Sequence, residues 1–76
     1  MKRVHGRQTF QSRELKEDSH IGLELFVENE GGKPVLAAKI VFWDAVGQYV
    51  VETFGEIPLT VLEALIIETK IFVKVP

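Results

Sequence analysis

The chain has 76 residues, 46% hydrophobic and 26% charged, with no cysteine and a formal net charge of −2. A chain of this length buries only about 60% of the surface that it exposes when unfolded, so its core is marginal. The missing cysteines exclude disulfides and thiolate metal sites, and His5 and His20 fall short of the four ligands of a structural zinc. Oligomerisation is the supplement that remains for so small a domain.

The hydrophobic fraction is that of a folded chain, not a disordered one. No apolar run approaches the roughly 18 residues that span a bilayer. The basic start, Met1 to Gln8, lacks the apolar segment of a secretory signal, so a cytoplasmic protein without membrane partners is expected.

Charge is unevenly placed. Residues 1–16 carry a net +4 and residues 17–76 a net −6. This asymmetry predicts a basic, irregular N-terminal arm over residues 1–19, with Lys2, Arg3, Arg7 and Arg13 as candidate phosphate contacts. Within the arm, Val4 to Phe10 has some character of an edge strand and Ser12 to Asp18 that of a helical turn.

A single small domain is expected over residues 20–76. From His20 to Glu28, Ile21, Leu23, Leu25 and Val27 alternate with more polar neighbours, the period of a half-buried strand. Asn29 to Pro34 contains adjacent glycines suited to a reversal, and Val35 to Asp44 reads as a second strand. In strict alternation Leu36, Ala38, Ile40 and Phe42 line one face of that strand. Val35, Ala37, Lys39, Val41 and Trp43 line the other.

Asp44 to Gly47 reads as a turn with glycine in the left-handed position, followed by a third strand over residues 48–54. Beyond Pro58 the period changes. Leu59, Leu62, Leu65, Ile66 and Thr69 recur at helical spacing, and Pro58 suits a helix start. Thr60 and Glu63 also have the spacing of a capping box. A helix over residues 58–70 is expected, apolar enough to be covered on more than one side. The alternation of Ile71, Val73 and Val75 predicts a short final strand, and a competing reading makes residues 66–75 one strand. The fold class is thus α+β, a three-stranded antiparallel meander followed by one helix on a sheet face.

One helix covers one face of such a sheet. The other would present Phe26, Val41, Trp43 and Tyr49 as a candidate interaction surface. Three covers are conceivable: the N-terminal segment through Val4, Phe10 and Leu15, a second copy, or a foreign partner. Helix-and-Trp43 face packing between two copies is the favoured form.

Signals for catalysis are weak. Gly31 and Gly32 sit in a hairpin rather than opening a helix, no nucleophile elbow is present, and Ser19 and His20 are strand neighbours aimed at opposite faces. Glu24 and Glu28 lie too far apart along one strand for paired acid–base work, whereas Asp44 and Glu52 have a chance of meeting across two strands. No cofactor or metal is implied. The expected function is a non-enzymatic, homodimeric interaction module. The alternative is a nucleic-acid-binding accessory protein using the basic arm, and an enzyme whose site forms between subunits ranks third.

Overall fold

The computed structural model describes residues 1–17 and 20–74. Five strands form one antiparallel sheet in chain order: β1 (Lys2–His5), β2 (Gln8–Glu17), β3 (His20–Asn29), β4 (Val35–Trp43) and β5 (Gln48–Thr53). One helix, α1 (Leu59–Phe72), follows and packs across the middle of the sheet. The α+β class stands, with two strands more than the sequence suggests.

Those strands come from the segment expected to be an irregular arm. β1 and β2 are joined by the two-residue loop Gly6-Arg7 between the paired His5 and Gln8. β2 then pairs with β3 along ten positions, from Gln8 opposite Asn29 to Glu17 opposite His20. The N-terminal region is therefore part of the sheet. Phe10 is among its most buried side chains, at 1% exposure.

The three expected strands fall within one residue of their predicted bounds, and so do both of their turns. Gly31 (φ 77°) and Gly47 (φ 63°) take the left-handed conformation in the β3–β4 and β4–β5 connections, where a side chain would be strained. The Gly47 N–H donates to the Trp43 carbonyl at 2.8 Å, closing the second turn. Gly22, inside β3, answers a different demand. A Cβ there would collide with the Ile40 carbonyl oxygen and lie 2.7 Å from Val41 Cα, so only glycine admits this approach of β3 to β4.

Strict alternation fails at one point. A β-bulge between Leu25 and Phe26 sets Ala38 opposite Leu25 but Leu36 opposite Phe26, leaving Ala37 as the extra residue. Ala37 and Ala38 are both buried in the core, and Leu36 moves to the face opposite the one predicted.

The core lies between α1 and one sheet face, where Phe10, Leu23, Leu25, Ala38 and Ile40 meet Val61 and Leu65. The helix starts after Pro58 without a side-chain cap, so Thr60 and Glu63 form no capping box. It runs through Ile71 and Phe72, which replaces the expected final strand at those positions; Val75 lies outside the described residues. Its buried positions, Val61, Leu65 and Thr69, form a single stripe. The expectation of a helix covered on several sides is corrected accordingly, since Leu59, Ile67 and Ile71 are each at least 61% exposed. Thr69 is buried without penalty because its hydroxyl donates to the Leu65 carbonyl at 2.7 Å.

Candidate interaction surface

Strand pairing sorts every side chain onto one of two faces. The face away from α1 is built as rows of residues in register across β2, β3, β4 and β5. One row reads Arg13, Glu24, Lys39, Glu52; the next reads Leu15, Gly22, Val41, Val50; the last reads Glu17, His20, Trp43, Gln48. On the other side of the charged row lie Gln11, Phe26 and Leu36. The only helix among the described elements is on the opposite face, so no second layer among them covers these rows.

The apolar row has the charged row on one flank and the aromatic row on the other. Val41 is buried, Leu15 is half-buried, and Trp43 and Val50 remain 41% and 37% exposed. Leu15, His20, Val41, Trp43 and Val50 border a shallow depression of about 170 Å³, rimmed by Lys39 and Glu52. The His20 and Trp43 rings meet edge-on, with centroids 5.1 Å apart.

The charged row is held by its own neighbours. Lys39 Nζ lies 3.4 Å from Glu52 Oε1, and the Arg13 guanidinium sits 4.6 Å above the Phe26 ring. The four charges alternate in sign across four adjacent strands.

Of the predicted surface residues, Phe26, Val41 and Trp43 share this face. Tyr49 does not. It pairs with Phe42 on the helix side, where the two rings are 5.1 Å apart, and it packs against the core. The apolar outer surface of α1 also belongs to the other side, so Trp43 and the helix cannot form one continuous contact patch. There, Ile67, Ile71 and Ala64 border a separate open groove of about 780 Å³ between α1 and β1. Intramolecular cover by the N-terminal segment is corrected too: Phe10 joins the core on the helix side, while Val4 and Leu15, on the open face by register, are part of the sheet itself and form no layer over it.

The predicted phosphate contacts are dispersed. Lys2 and Arg13 fall on the open face, Arg3 falls on the helix side opposite Phe10, and Arg7 stands in the β1–β2 loop with Nε 3.7 Å from Glu30. Asp44 and Glu52 do not meet. Glu52 is in register with Lys39, while Asp44 is in the β4–β5 connection. Ser19 lies outside the described residues.

Comparison with protein-family models, with curated proteins and with solved structures finds no match for this chain.

Proposed function

We propose that the chain is a non-enzymatic interaction module that pairs with a second copy of itself through the open face of its sheet. The observation that carries this reading is the apolar row in which partly exposed Leu15 and Val50 flank the buried Val41, with Trp43 beside it, on a sheet whose only helix among the described elements lies on the opposite face. An apolar patch rimmed by charges is the usual form of a contact surface.

Surface area points the same way. The chain exposes 5393 Å², whereas a compact monomer of 8.6 kDa exposes about 4,700 Å². With strands about 4.8 Å apart and like-facing rows about 6.8 Å apart, the four-strand patch offers roughly 500 Å² per copy. The resulting total of about 1,000 Å² is at the lower bound of specific interfaces, the size class of weak and transient contacts; area does not fix affinity, so roughly 1–100 μM is the concentration range to search.

Light scattering across that concentration range should show the mass rising toward twice 8.6 kDa. Trp43→Glu should hold the chain monomeric while leaving a cooperative melt, because Trp43 is partly exposed and outside the core. A chain that stays monomeric throughout, or a dimer indifferent to Trp43→Glu, would refute the proposal.

A further inference from the structure

We infer that the two copies are related by a two-fold axis running parallel to the strands and passing between β3 and β4, so that the charged row of one copy reads against its own reversal in the other. This inference rests on the open-face reading above and adds its geometry. A row of four charges alternating in sign has a specific property under rotation: reversing it end for end changes the sign at every position. The row Arg13, Glu24, Lys39, Glu52 begins with a cation, ends with an anion, and has its midpoint between β3 and β4.

A two-fold axis along the strands performs that reversal. It sets Arg13 over the partner's Glu52 and Glu24 over the partner's Lys39, and symmetry repeats both pairs. Each of the four charges therefore meets one of opposite sign. The same operation keeps every row against itself. Leu15 then faces the partner's Val50, Phe26 faces the partner's Leu36, and His20 faces the partner's Trp43. Glu17 falls opposite the partner's uncharged Gln48. No like charges are opposed anywhere in the four rows.

No other two-fold axis along a strand or a row in the plane between the faces pairs all four charges with opposite ones. An axis along the apolar row opposes no like charges but gives only Arg13 a carboxylate partner, Glu17, and sets Glu24, Lys39 and Glu52 over His20, Trp43 and Gln48. An axis along the charged row lays each residue over its own copy, Arg13 over Arg13 and Glu24 over Glu24, giving four like-charge contacts. An axis between the charged and apolar rows places all four charges over Leu15, Gly22, Val41 and Val50, where they lose water without gaining a partner. Like-charge juxtaposition at an interface is strongly disfavoured, and complementary charge fixes register more than it adds affinity. The row accordingly selects the axis, while the apolar residues beside it supply the contact. An isologous dimer of this kind is the commonest closed assembly. Sheets packed face to face keep their mean strand directions within about 30° of each other; an axis along the strands sets them parallel, and tilting it by about 15° gives the usual twist angle.

The test uses the full chain in two single variants, Glu24→Lys and Lys39→Glu. Alone, each sets like charges against each other twice across the strand-parallel axis, so each should dimerise about tenfold or more weakly than the unchanged chain. Mixed in equal amounts, the two should form a heterodimer. The cation introduced at position 24 of one variant then faces the carboxylate introduced at position 39 of the other, and the unchanged Lys39 faces the unchanged Glu24. The affinity of the mixture should return to within about threefold of the original. Cooperative melts confirm that each variant folds; if an inner variant does not, Arg13→Glu and Glu52→Arg repeat the experiment on the outer pair.

Trp43→Glu separates the two claims. If it dissociates the dimer while both charge variants remain as tightly paired as the unchanged chain, the axis is wrong and the face stands. If the charge variants dissociate and their mixture does not pair, the axis is likewise wrong. If Trp43→Glu leaves the dimer intact, the face itself is wrong and the axis falls with it.

Discussion

Glu68 shows how one side chain ties Met1 to α1. Its carboxylate accepts hydrogen bonds from the Met1 ammonium and from the Ser12 hydroxyl, both at 2.8 Å, and so joins β1, β2 and α1. Partial burial pushes its pKa up, but those two bonds and the nearby positive charge outweigh burial and hold the carboxyl below its ordinary value. A group with a depressed folded pKa binds protons more readily when unfolded. Its contribution to stability is therefore complete above the unfolded value and is lost as pH falls through the folded one. Glu68→Gln should cost about 1 kcal/mol at neutral pH. Between about pH 5 and pH 3 the unchanged chain should lose more melting temperature than the variant, so the two curves converge. Parallel curves across that range would show that the Glu68 contacts contribute nothing to folding.

At the scale of elements, the N-terminal hairpin changes from a decoration to a support. Phe10 on β2 is closed in by α1 and β3, so Phe10→Ala should destabilise the chain by about 3–5 kcal/mol, enough to unfold much of a small domain. A thermal melt within a few degrees of the unchanged chain would contradict the packing of β2. The reason β2 is hard to read in the sequence is physical. Its only apolar residues, Phe10 and Leu15, are five positions apart and face opposite sides of the sheet, so neither face shows a period of two. β3 and β4 are legible because one face of each is filled by the core, whereas β5, in which only Tyr49 is half-buried, is legible from its run of β-branched and aromatic residues. The end of α1 carries two signals at once: Ile71, Val73 and Val75 alternate, yet Leu65, Thr69, Phe72 and Val73 also recur at helical spacing. Burial on the sheet decides for the helix as far as Phe72. The candidate surface is only half legible. Trp43 and Val41 can be placed from alternation, Tyr49 cannot be excluded without the register, and the bulge at Ala37 moves Leu36 across the sheet. The charged row is legible only from the pairing, since its four members are 11, 15 and 13 positions apart in the chain.

The whole molecule measures 40 × 21 × 17 Å, with a radius of gyration of 12.5 Å against about 11.4 Å expected for a compact chain of its length. It is an elongated sheet with one helix laid across its middle, and two such sheets in contact would approach the proportions of a larger, better-buried domain. The order of the strands bears on how this shape is reached. Each strand pairs with the one before it in the chain, so the sheet can assemble hairpin by hairpin from local contacts. The helix is different. Its partners Phe10, Leu23, Leu25, Ala38 and Ile40 all lie more than 20 positions upstream of Val61, and it follows every described strand in the chain. During synthesis the strands emerge before α1, and closure by α1 is the step expected to come late. Mutations confined to late contacts act mainly on escape from the native state, not on its formation. Leu65→Ala should accordingly accelerate unfolding in stopped-flow experiments and leave the refolding rate nearly unchanged. A loss felt mostly in refolding would place the helix in the folding nucleus instead.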